Sequence, residues 1–116
     1  MSVMVPRVPP PYGLCLSIYW RRVLDGNTIE AILPLGGNFT LRIDGYDTPE
    51  KSSENGLAAI HALEGLLEQA TKCTLWLNLP QESDHFPKFE NTTIRGTLFA
   101  DSTRVDLWMI EHGYST

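Results

Sequence analysis

Short runs of alternating apolar and polar residues recur along the chain, turn signals separate them, and one stretch of helical spacing interrupts them. Together these predict a mainly β (α+β) fold. Its expected form is a small five-stranded Greek-key barrel of the OB type, with an amphipathic helix after the third strand and a short C-terminal helix. The 116 residues suit one compact domain with a single core. The expected organisation is a Pro-rich N-terminal arm over residues 1–13 and the barrel domain over residues 14–116.

The arm holds Pro6, Pro9, Pro10 and Pro11, and consecutive prolines cannot donate to a strand ladder, so an extended arm is expected. Over residues 14–24, Leu14, Leu16, Ile18 and Trp20 alternate with Cys15, Ser17, Tyr19 and Arg21, the period of a half-buried strand. Asp25-Gly26-Asn27 supplies a turn, expected to be of type I′, since all three residue types tolerate positive φ. A second strand over 28–33 and a third from 39 to about 46 flank the punctuator Pro34 to Asn38, giving an antiparallel meander. Leu57, Ile60, Leu63, Leu66 and Leu67 carry helical spacing, with Ser53 as candidate N-cap and an end near Thr71. Strand chemistry returns over 73–79, a charged loop follows over 80–92, and a fifth strand spans 93–100. Val105, Trp108 and Met109 begin the terminal helix.

Composition is that of an ordinary globular protein, 42% hydrophobic and 20% charged, with no apolar run long enough to span a membrane. The N-terminal stretch lacks an apolar h-region, so a cytoplasmic site of action and no membrane partner are expected. Cys15 and Cys73 both fall in strand-like runs, where a free thiol is as natural as a bridge. The net charge of −5 opposes a long basic track, so a polyanion would have to be held by charge focused in one cleft.

Within this frame a few residues carry chemistry. Asp47-Thr48-Pro49-Glu50 reads in two ways: as a helix entry with a cap and a proline at the first position, or as a hard-cation ligand in Asp47 beside a general base in Glu50. Arg42, five residues earlier, is either half of an ion pair or a fork for a phosphate. Arg95 precedes Gly96, where backbone can approach closely and leave the arginine near a rim. Asn27 offers a neutral oxygen where a carboxylate would bind a cation better. His61, His85 and His112 show no metal-ligand spacing with the cysteines, and Trp20, Trp76 and Trp108 read as core or boundary residues.

Read in order, Val23-Leu24-Asp25-Gly26-Asn27-Thr28-Ile29, Leu41-Arg42-Ile43-Asp44-Gly45-Tyr46-Asp47-Thr48-Pro49-Glu50, Gly56-Leu57-Ala58-Ala59 and Arg95-Gly96 resemble the staphylococcal-nuclease-like (thermonuclease) family, over roughly residues 18 to 113. The resemblance implies an OB-type barrel that hydrolyses DNA or RNA phosphodiesters with little sequence preference, using Ca²⁺ or another divalent cation such as Mg²⁺. By position it implies that Asp47, the Thr48 carbonyl and Asn27 bind the metal, with Asp25 in a supporting acidic position. Glu50 would orient or deprotonate water, and Arg42 and Arg95 would bind the scissile phosphate.

Three departures accompany it. Asn27 stands where the family usually has an aspartate; the segment between Glu50 and Gly56 is short; and the family's C-terminal helix, with aromatic residues near the nucleotide, is expected to be absent or supplied by another chain. Asn27, the C-terminal departure and the acidic net charge support a second expectation, a catalytically weak or inactive barrel that binds nucleic acid or a protein partner. In such an assembly the Pro-rich arm or the C-terminal end would dock another copy or a different chain.

Overall fold

The computed structural model of the protein describes residues 13–34, 36–77 and 93–116. Nearly all of the expected arm and the whole charged loop over 80–92 lie outside these residues. The elements run β1 (Leu14–Asp25), β2 (Thr28–Ile32), β3 (Asn38–Ile43), α1 (Glu54–Gln69), β4 (Cys73–Leu77), β5 (Thr93–Ala100), β6 (Thr103–Arg104) and α2 (Val105–Glu111).

β1 is long because it serves two neighbours. Leu14 to Ile18 pair with β4, and Tyr19 to Asp25 pair with β2, both antiparallel. Between Trp20 and Arg22 the register slips, a bulge that bends the strand from one partner to the other. β2 pairs with β3 and β4 with β5, again antiparallel. The ring is shut by β3 lying parallel to β5, with Thr40, Leu41, Arg42 and Ile43 facing Thr93, Ile94, Arg95 and Gly96. The result is the closed, five-stranded OB-type barrel with two helices; β6 is only a two-residue return on β5.

Alternation sorts the strand residues as expected. Ile29, Leu41, Leu75 and Leu98 point inward and are fully buried. They meet Leu63 and Leu67 of α1 and Val105 and Met109 of α2, also fully buried or nearly so. Burying one such side chain contributes about 1.5–3 kcal/mol, so this cluster carries the fold. Helix α1 starts where Ser53 caps it, its Oγ accepting the Gly56 N–H at 3.0 Å.

Several boundaries differ from the sequence-based expectation, each for a physical reason. The third strand stops at Ile43 rather than near Tyr46, because Gly45 adopts φ +104° and turns the chain. The Asp25–Asn27 turn is not type I′, since neither Gly26 nor Asn27 has positive φ. It is instead an Asx arrangement in which the Asp25 carboxylate accepts the Asn27 N–H at 3.0 Å. Gly26 is needed for space: a Cβ there would fall 2.6 Å from Thr48 Cγ2 and 2.8 Å from Ala59 Cβ. Helix α1 ends at Gln69 rather than near Thr71. The Thr71 and Lys72 N–H groups donate to the carboxylate of Asp101, which itself sits at φ +53°.

Cys15 is exposed, Cys73 is buried and both are free thiols. Burial, with a smaller push from Asp101, raises the Cys73 thiol to about 11, so it acts as a small apolar core group. No helix among the described residues is long and apolar enough to cross a membrane.

The closing strand pair depends on Gly96, where an added Cβ would lie 2.6 Å from Leu75 Cδ1, 2.7 Å from Leu77 Cδ2 and 2.9 Å from the Trp76 carbonyl. We predict that Gly96→Ala lowers unfolding free energy by about 1–3 kcal/mol, the usual cost of overpacking. Urea denaturation followed by tryptophan fluorescence measures it, and a loss below about 0.5 kcal/mol would show that the side chains yield freely.

Candidate active site

The site starts from the pleat. On β3, Phe39, Leu41 and Ile43 face the core, so Thr40 and Arg42 face outward. On β5 the inward residues are Gly96 and Leu98, so Thr93, Arg95 and Thr97 face outward. Because the strands run parallel with Arg42 opposite Arg95, two guanidinium side chains leave the barrel from neighbouring positions, about 4.8 Å apart at the backbone. Like charges directly opposite each other destabilise a sheet. Arg42 is partly relieved by Asp47, its Nη2 lying 3.9 Å from Oδ1 with the two side chains 45% and 78% exposed. So open an ion pair contributes about 0–1 kcal/mol. Among the described residues Arg95 has no ion pair.

Asp47, Thr48 and Glu50 lie on the loop between β3 and α1, and this loop is tied at several points. The Asp44 N–H donates to the Gly96 carbonyl at 2.8 Å, carrying the β3–β5 ladder one residue further. Tyr46, beside Asp47, is buried, and its hydroxyl donates to the Gly26 carbonyl at 2.6 Å. Asn27 answers from the turn: its Nδ2 donates to the Tyr46 carbonyl at 3.3 Å, and its own carbonyl accepts the Ile43 N–H at 2.7 Å. Thr48 packs over Gly26, and the Thr116 N–H donates to the Asp47 carbonyl at 2.8 Å.

Glu50 is held through its backbone. Its carbonyl accepts both the N–H of Ser53, at 2.9 Å, and its hydroxyl, at 2.6 Å. Gly56 presses so closely on this carbonyl that a Cβ would overlap it. The tetrapeptide is thus not itself the helix entry: α1 begins at Glu54 with Ser53 as cap, Pro49 lies outside the helix, and Glu50 contributes only the carbonyl that holds Ser53. The two carboxylates of the tetrapeptide remain exposed, and the exposed guanidiniums stand on the adjoining strands.

Asn27 differs most from a simple ligand. It is 7% exposed, and its Oδ1 already accepts the Thr28 hydroxyl at 3.2 Å. One lone pair of that oxygen is left for a cation. Among the described residues no group of three or more His, Cys, Asp or Glu side chains gathers as a metal cluster. The donors that remain, the Asp47 carboxylate with neutral oxygens of Asn27 and Thr48, are all oxygen and suit a hard cation such as Ca²⁺. With so few protein charges, most of the coordination shell would be water or substrate.

No family model matches the chain, and no curated protein matches it significantly. Two further residues of the site carried no sequence signal. Tyr46 looked like the end of a strand. Asp106 is buried at 3% exposure, accepts Arg104 Nε at 2.9 Å and packs against Gly45, where no Cβ would fit. His61 is an exposed helix residue, and His112 stacks on Trp108 with ring centroids 4.1 Å apart, so neither joins the site. His85 lies outside the described residues.

Burial first, then the negative charges of Asp106 and Asp25, raise the Tyr46 phenol above its ordinary value of 10. In the unfolded chain the phenol ionises near 10, whereas the folded state keeps its proton. The stabilisation is therefore complete below pH 10 and is lost as pH rises through the folded value. We predict that Tyr46→Phe costs about 1–2 kcal/mol at pH 7, by stranding the Gly26 carbonyl, and flattens the decline of stability above pH 10. Denaturant titrations from pH 7 to 11 measure both effects; an unchanged alkaline slope in the variant would contradict this account.

Proposed function

We propose that the protein is a metal-dependent nuclease that hydrolyses phosphodiester bonds of DNA or RNA with little sequence specificity. The observation that carries the reading is the opposed pair Arg42 and Arg95, with the Asp47 carboxylate 3.9 Å from Arg42 and Glu50 exposed on the same loop as Asp47. The resemblance of these residues, in their order along the chain, to the staphylococcal-nuclease-like family points the same way. A barrel gains no stability from two adjacent guanidiniums, whereas a phosphate between them offsets their repulsion.

In this reading Arg42 and Arg95 grip the non-bridging oxygens and neutralise charge that grows on the phosphorus centre in the transition state. Glu50 orients or deprotonates the attacking water, and the bridging oxygen leaves in line with it. Asp47, the Thr48 carbonyl and Asn27 would hold a divalent cation, which supplies further charge neutralisation when bound. Asp25 acts from behind, fixing Asn27 through its backbone N–H. The thin set of metal donors favours one other reading, a barrel that binds nucleic acid or a protein partner and cleaves weakly or not at all.

Incubation of the protein with single-stranded DNA, duplex DNA and RNA, in Ca²⁺, Mg²⁺ or chelator, separates the two. We expect metal-dependent cleavage, reduced about 10²–10⁴-fold in Glu50→Ala and about 10²–10³-fold in Arg42→Ala. Absence of cleavage at millimolar metal leaves the binding barrel as the reading that stands.

Asn27→Asp tests the metal assignment. The substitution removes the Nδ2 donor to the Tyr46 carbonyl and sets a carboxylate in its place. Without metal the variant should lose about 1–3 kcal/mol of stability. With metal, the added charge should lower the Ca²⁺ concentration needed for half-maximal activity. An unchanged Ca²⁺ requirement would place the cation elsewhere.

A further inference from the structure

The outer face that carries Arg42 and Arg95 does not end with them. Register places outward residues of four strands in rows. One row is Asp25, Thr28, Arg42 and Arg95; the next, two residues along, is Arg22, Glu30, Thr40 and Thr93; the third is Tyr19, Ile32 and Asn38. Rows two residues apart are separated by about 6.8 Å, close to one nucleotide step of an extended strand. Arg21, the extra residue in the β1 bulge, lines a hollow with Glu30, Asn38 and Thr40 at the far end of this face.

Two independent features distinguish the face. Charge is the first: Arg21, Arg22, Arg42 and Arg95 are four of the chain's nine basic residues, gathered here in a protein of net charge −5. Two acidic residues share these rows: Asp25, whose carboxylate accepts the Asn27 N–H at 3.0 Å, and Glu30. Glu30 is neutralised by Arg22, whose Nη2 donates to Glu30 Oε1 at 2.8 Å and holds that carboxyl below its usual range. The second is Tyr19, at 63% the most exposed large hydrophobic residue described, displayed beside Asn38 and Ile32 rather than packed away.

From this arrangement we propose that the outer face of β1, β2, β3 and β5 is a track for single-stranded nucleic acid, leading from the Arg42–Arg95 pair to Arg21 and Tyr19. The inference rests on the reading of Arg42 and Arg95 as phosphate-binding residues, and extends the substrate from one phosphodiester to a strand several nucleotides long. Threonine hydroxyls and the Asn38 amide donate to phosphate oxygens between the arginines. Tyr19 offers a ring on which an unpaired base stacks, and a duplex, with its bases already stacked, cannot use it. Interspersed cations and an aromatic platform select a strand of phosphates and bases over an acidic peptide, which has no rings to stack.

The test is equilibrium binding in chelator, so that no cleavage is needed. A fluorescein-labelled single-stranded oligothymidylate is titrated with the protein and with Tyr19→Ser and Arg21→Gln, both substitutions at exposed positions. Tyr19→Ser should weaken binding about five- to 100-fold. Arg21→Gln should reduce the slope of log K against log salt by about 0.7, the value of one phosphate contact on a single strand. A chromogenic diester of a single nucleotide should be cleaved at rates unchanged by either substitution. Binding by both variants within twofold of the unaltered protein overturns the track, as does equal competition by polyglutamate or by a duplex of the same length. Binding that follows the expected pattern in a protein that cleaves nothing overturns the enzyme and leaves the track standing.

Discussion

Everything in the site depends on β3 and β5 lying parallel in one register. That pairing closes the barrel, and the same register sets Arg42 opposite Arg95. A shift of one residue would turn one arginine into the core and break the pair, so barrel closure and the pairing of the two arginines are specified by the same hydrogen bonds. Gly96 makes this fit, since its missing side chain lets Leu75 and Leu77 fill the barrel beneath the pair.

The loop that carries Asp47 and Glu50 is rigid for a different reason. It contains no regular secondary structure, yet its ends and middle are tied to the β1–β2 turn, to β5, to the helix cap and to the chain near Thr116. Tyr46 is the centre of these ties. It buries its ring, donates to the turn and accepts from Asn27, so the residue next to Asp47 has little freedom. Asn27 thereby serves the architecture first. Its amide nitrogen supplies a hydrogen bond that an aspartate could not, and this gives a physical reason for an asparagine at a position where charge would favour a cation.

Much of this was legible in the sequence because it follows from periodicity and residue type. Alternation in Leu14 to Arg21 identified the faces of β1, Ser53 marked the start of α1, and the order of Arg42, Asp47, Glu50 and Arg95 suggested one site. What remained hidden depends on tertiary contact. Gly26 reads as a positive-φ turn residue but is required because Thr48 and Ala59 crowd it. Gly45 ends β3 where the sequence still looks strand-like, and the carboxylate behind it, Asp106, comes from a helix sixty residues away in the chain. The charge segregation on the outer face needed the register, because net composition alone argues against a polyanion partner.

The central claim is that Arg42 and Arg95 act as one anion-binding unit. A double-mutant cycle with Arg42→Ala, Arg95→Ala and the combined variant, read as binding free energy for a single-stranded oligonucleotide in chelator, tests it most directly. Residues that share one phosphate should be non-additive by about 0.5–3 kcal/mol. Additivity within about 0.3–0.5 kcal/mol would mean that the two arginines act on separate groups, and would contradict the account.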